Sequence, residues 1–193
     1  MDLFMNETPR ALLTFAYDRD AAVYYAHQWA YRRNPAFYDF ERIGGDCTNF
    51  ASQCVYAGAG VMNYTPTYGW YYVSPGDRAP AWTGVVYLYR FLTQNRGVGP
   101  FGRTVSAEEV EPGDLVQLKL RGPAFDHTPV IVDIIGPPTP DNILVAAHSQ
   151  DADFRPLSTY SYQDVRYIHI EGVRSDIHDY EESPQNGFDF GTP

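Results

Sequence analysis

Halfway along the chain the spacing of apolar residues changes, and that change limits the folds open to it. The first half repeats at helical spacing. In "FAYDRDAAVYYAHQWAYRRNP", Ala22, Tyr25, Ala26 and Trp29 recur at i, i+3, i+4, i+7. Asp18 is the expected cap, and the helix should end near Asn34, ahead of Pro35. "DCTNFASQCVYAGAG" reads as a second helix with Phe50, Cys54, Tyr56 and Ala57 on its apolar face and Gly58 and Gly60 as stops. "AWTGVVYLYRFLTQNRG" reads as a third, capped by Thr83 and stopped by Gly97. Between the second and third lies a long aromatic, Pro- and Gly-rich loop, residues 61–82. In the second half the period drops toward two. Residues 113–120 and 165–173 alternate, and residues 127–136 and 142–149 are β-branched or continuous apolar runs, with turns such as "GPPTPDN" between them. Helical segments followed by strands at short spacing predict an α+β fold with an antiparallel meander or small barrel, not an alternating βαβ fold. One domain is expected over residues 1–174, with an acidic tail over 175–193.

The chain has 193 residues, 44% of them apolar and 20% charged, enough to bury a globular core. Its formal charge of −10 argues against non-specific binding to nucleic acid or an anionic membrane. No run approaches the roughly 20 apolar residues of a membrane span. The N-terminus "MDLFMNETPRALL" lacks a basic stretch followed by an apolar one, which fits a cytoplasmic chain, although a trimmed exported form would look the same. Nothing in the sequence addresses the oligomeric state.

Two cysteines stand seven residues apart in the second helix, about 10 Å on a regular helix, too far for a disulfide. They differ in setting. Cys47 follows Gly44-Gly45-Asp46 at the helix start, where unpaired N–H groups and the helix dipole favour a thiolate and a lowered pKa. Its own N–H is a natural oxyanion donor. Cys54 lies mid-helix among apolar neighbours and reads as packing. A cysteine nucleophile needs a base. Of five histidines, His127 leads one strand run and His148 ends the next. An antiparallel pair would set them side by side, as base and orienting group. Asp151, three residues past His148, competes for the orienting role, and Asp126 is a weaker choice because adjacent strand residues face opposite ways. His27 and His169 read as structural, and His178 falls in the tail.

Together, "GGDCTNFASQCVYAGAG", "WTG" with "YLYRFL", "VEPGDLVQL", "HTPVIV" and "AAHSQD" with "RPLSTY" resemble the putative amidase domain family of bacteria. That family is similar to the NlpC-type and CHAP-type papain-like cysteine hydrolases. The resemblance spans residues 18–174. It implies a papain-like fold with Cys47 as nucleophile, His127 as base and His148 as orienting group. It also implies cleavage of an amide in cell-wall peptidoglycan or a related peptide. The sequence departs from the wider superfamily at Thr48-Asn49, where Ser-Gly is usual, and lacks the upstream glutamine of papain. Asp39, Asp46 or Tyr38 then becomes the candidate for oxyanion-side support, and Asn49, Tyr68, Trp70 and Tyr71 the candidates for a substrate groove. Acyl transfer to cysteine calls for no cofactor and no metal. Two other readings stay open: a catalytically silent wall-binding module of the same fold, and a zinc-binding hydrolase using Cys47, His127, His148 and Asp151, although no recognised ligand spacing is present.

Overall fold

The structure is a computed structural model, and it describes residues 12–176. The tail expected over 175–193, with His178, lies almost wholly outside the described residues. The fold is α+β: a set of helices packed on a seven-stranded antiparallel sheet.

Helix α1 (Arg19–Trp29) starts where the sequence places it, with the Asp18 carboxylate accepting from the Ala21 N–H at 2.9 Å. It ends a turn earlier than Pro35 requires. Helix α2 (Cys47–Ala59) runs straight through Gly58 and stops at Gly60, which takes the left-handed conformation (φ 70°) and donates its N–H to the Tyr56 carbonyl. The expected third helix is two: α3 (Pro80–Thr83) and α4 (Val85–Gln94), broken at the extended Gly84. Thr83 therefore closes α3 rather than capping anything, and Asn95, not Gly97, ends α4. The aromatic loop carries a small hairpin of β2 (Tyr72–Ser74) and β3 (Asp77–Arg78).

All four expected strands form: β5 (Leu115–Lys119), β6 (Val130–Ile134), β7 (Ile143–Ala147) and β9 (Asp164–Ser175). Three more join them: β1 (Leu13–Phe15), β4 (Gly99–Val105) and β8 (Ala152–Pro156). Strands β5, β6, β7 and β8 form a meander, and β9 returns beside β5. Val173 pairs with both β1 and β4, and Tyr167 with both β4 and β5. So β4 flanks one edge of β9 while β1 and β5 share the other.

Both faces of the sheet are buried, which explains the continuous apolar runs in β6 and β7. Leu115, Val130, Val132, Leu144, Ala146 and Ile168 face the helices, with Phe50, Trp70, Trp82 and Leu88. The alternate residues Val116, Leu118, Ile131, Ile143, Val145 and Tyr167 face a second cluster with Val110, Leu157 and Tyr160. A buried polar knot ties α1 to the sheet. Asp114, fully buried, accepts from Arg19 (2.7 Å), the Ile170 N–H (2.9 Å) and the Glu111 N–H (2.8 Å), and lies 2.8 Å from His169 Nδ1. The Pro-Gly-Asp turn before β5 is thus an anchoring device.

Candidate active site

Cys47 is the first residue of α2 and is buried. The chain reaches it through Gly44 (φ 121°) and Gly45 (φ 95°), both in conformations that favour glycine. A Cβ on Gly45 would also sit 3.2 Å from Ser149 Oγ. That close approach matters, because Ser149 Oγ accepts from the Asp46 N–H (2.8 Å) and donates to Glu41 (2.7 Å), clasping the helix start to the end of β7.

The Thr48 hydroxyl lies 3.7 Å from Sγ, and it and the backbone of Thr128 and Thr48 act to lower the thiol pKa. They oppose the dominant effect, which is burial. Burial pushes the Cys47 thiol up, and the nearby Asp46 carboxylate adds to the rise. The expectation of a lowered pKa from the helix start alone is therefore corrected: a dipole acting on a desolvated thiol is outweighed by lost hydration.

His127 leads into β6, held by paired backbone bonds with Leu118, while Asp126 locks the preceding loop through the Leu120 and Arg121 N–H groups. Its ring is buried against Tyr160, centroids 5.5 Å apart, and its pKa is pushed down to about 4, chiefly by burial. Asp126 opposes that shift and Arg155 adds to it. His127 Nε2 and the Tyr160 hydroxyl are both buried with no hydrogen-bond partner among the described residues. Arg155 lies over the Tyr160 ring face, 3.7 Å from its centroid. Burial raises the Tyr160 pKa, Arg155 opposes the rise, and the neighbouring Cys47 adds to it. Cys47, His127 and Tyr160 thus share one neighbourhood.

His148 is elsewhere. Its Nδ1 is 2.6 Å from Asp46 Oδ2, its Nε2 is 2.9 Å from the Trp29 carbonyl, and its ring stacks on Phe50 at 4.0 Å. Both nitrogens are committed, so it does not orient His127 in this structure. The β6–β7 register explains why. Val130 pairs with Ala146, and continuing that register sets Thr128, not His127, opposite His148. The two histidines therefore point to opposite faces. Asp46 is equally committed: Oδ1 accepts from the Phe40 N–H and from Asn49, both at 2.9 Å. Asp151 is gripped by Arg33 through two bonds of 2.9 and 3.0 Å.

The groove candidates divide. Tyr68 is 84% exposed and Tyr71 is half-buried. Trp70 is fully buried, donating to Ser52 and packed on Trp82, so it belongs to the core. Asn49 is buried too, donating to the Tyr38 carbonyl and accepting from Trp82 Nε1. The Tyr38 ring is exposed and lies edge-on to Phe40. The four residues of the zinc alternative do not converge. Among the described residues no group of three His, Cys, Asp or Glu side chains is placed to hold a metal ion. No described helix is long and apolar enough to cross a membrane. Sequence reasoning missed Tyr160, which the motif "RPLSTY" contains, and Thr128, directly after the candidate base.

The sequence profile of the putative amidase domain matches residues 16–170. An uncharacterized protein of Bacillus subtilis strain 168, YhbB, is 34% identical over 120 residues, covering 61% of this chain and 38% of that protein. The chain thus spans well under half the length of that relative. No solved structure matches.

Proposed function

Because the chain belongs to the putative amidase domain family, we propose that it hydrolyses an amide through Cys47, with His127 as base, on a papain-like scaffold. What supports this reading is Cys47 at a helix start, coupled to Thr128, the residue after His127, and to Tyr160, whose ring packs on His127. The raised thiol and the lowered imidazole make the resting pair neutral. His127 then takes the thiol proton as the sulfur–carbon bond forms, and the tetrahedral intermediate collapses with that proton going to the leaving amine. Water, deprotonated by the same imidazole, cleaves the thioester. The unpartnered His127 Nε2 and Tyr160 hydroxyl are the buried polar atoms left for reacting groups. The exposed Tyr68 and half-buried Tyr71 suit a sugar–peptide, and peptidoglycan peptides are the substrate class we propose.

The test is release of new primary amines from purified peptidoglycan fragments. Cys47→Ala should abolish release with the fold intact, and Cys54→Ala should retain it. Release by the Cys47→Ala protein at the wild-type rate would overturn the assignment.

A further inference from the structure

Behind Cys47 a line of buried polar side chains runs through the protein to Arg166. The Arg166 guanidinium is sandwiched between Tyr89 and Phe125, 3.5 and 4.1 Å from the ring centroids. It donates to Gln117 Oε1 through both Nε (2.9 Å) and Nη2. Gln117, fully buried, donates from Nε2 to the Val85 carbonyl (2.8 Å) and toward Thr128 Oγ1 (3.4 Å). Thr128 Oγ1 lies 3.3 Å from Thr48 Oγ1, which lies 3.7 Å from Cys47 Sγ. Thr48 and Thr128 are buried as well.

The polarity of this line follows from its ends. A guanidinium only donates. That sets Gln117 with its oxygen toward Arg166, and the Val85 carbonyl confirms its nitrogen on the other side. Thr128 Oγ1 therefore accepts from Gln117. Its own hydrogen finds an acceptor among these contacts only in Thr48 Oγ1, and the Thr48 hydrogen then points at the sulfur. The opposite order would leave the Thr128 hydroxyl hydrogen buried without a partner.

We infer that Arg166, Gln117, Thr128 and Thr48 are positioning residues, a one-way chain of donors that aims the Thr48 hydroxyl at Cys47 and favours its thiolate. This deepens the nucleophile assignment above and rests on it. The other titratable groups that act on or feel the sulfur are Asp46 at the cap of its own helix, which disfavours the thiolate, and Tyr160 from the sheet side, whose ring packs on His127. Donors from the buried threonines offset the penalty of burying an anion there.

The experiment is the pH profile of Cys47 alkylation by iodoacetamide, read by peptide mass spectrometry, which needs no substrate. Thr48→Val and Thr128→Val keep the side-chain shape and remove the hydroxyl. Each should move the profile to higher pH and slow alkylation roughly tenfold on its rising limb, as one unit of pKa requires. Thr48→Ser should restore it, and Arg166→Met should shift it in the same direction by less. The midpoint of the profile reports ionisation, while its plateau reports access. Unchanged midpoints in both valine variants, each shown folded by thermal melting, would overturn the inference. The parent assignment fails separately, if Cys47→Ala keeps amine release whatever the profiles show.

Discussion

A neutral His127 inside the protein has consequences for stability as well as for chemistry. Its pKa falls from the ordinary 6.5 to about 4 because the buried ring resists protonation. The unfolded chain takes up the proton as pH drops below 6.5, and the native protein does not until about 4. Native stability is therefore full above pH 6.5, falls between 6.5 and 4, and is level below as far as this group is concerned. The shift corresponds to about 3 kcal/mol. Urea unfolding at pH 7 and pH 4 checks this: the wild-type protein should lose about 3 kcal/mol more than His127→Asn between the two. Equal losses would mean that the ring is not held neutral. The same burial makes His127 a base that accepts a proton only when negative charge develops beside it, which suits a thiol that is itself held protonated at rest. At this scale Cys47 and His127 were legible in the sequence as candidates, and the partner of His127 was not. His148 carries the right chemistry one residue out of phase, and only the pairing of Val130 with Ala146 reveals that.

Among the elements, α2 rests on α1 through a contact that the sequence disguises. Gly58 reads as a helix stop, yet the helix continues through it. Its carbonyl accepts the Asp18 N–H at 3.0 Å, and a Cβ there would run into the Tyr17 ring and the Asp18 carbonyl. The Tyr17 ring has little freedom to yield, since it is buried and its hydroxyl donates to the Gly113 carbonyl at 3.2 Å. Gly58→Ala should therefore destabilise the protein by about 1–3 kcal/mol, even though alanine is the better helix former by about 1 kcal/mol. A thermal melt is the measurement, and an unchanged or raised melting temperature would show that the helices separate freely. The stop and the close approach use the same residue type, so sequence alone could not divide Gly58 from Gly60. Strand β4 was hidden for a related reason: "GPFGRTV" carries two glycines and a proline, residues that are uncommon inside a strand. Gly102 makes the strand possible, since a Cβ there would collide with the His169 carbonyl of β9. The runs "VIV" and "ILVAA" had no such disguise, because burial on both faces makes them continuous.

Across the whole molecule, the two ends of the described chain meet. Leu13, Thr14 and Phe15 pair with Ser175, Arg174 and Val173, and β9 is the strand that joins β1, β4 and β5 into one sheet. The family match ends at residue 170 and begins at 16, so it leaves out all of β1 and the last five residues of β9. Those residues are part of the folded unit. Val173 is buried in the helix-side core, and the Arg174 guanidinium donates to the Asn95 carbonyl at the end of α4 while lying 3.4 Å from the Phe101 ring centroid. Removing them strips one ladder of hydrogen bonds and exposes the edge of the strand that holds the Asp114 knot through Ile170. A chain cut to residues 16–170 should melt below one cut to residues 12–176, by about 2–4 °C for each kcal/mol lost. It should also exchange the amides of β9 faster than those of β6 and β7, which keep both neighbours. Cys47 and His127 depend on α2, β5 and β6, so alkylation of Cys47 should change little between the two lengths at a temperature where both are folded. Equal melting temperatures would make residues 12–15 and 171–176 dispensable, and the domain would then have the bounds of the family match.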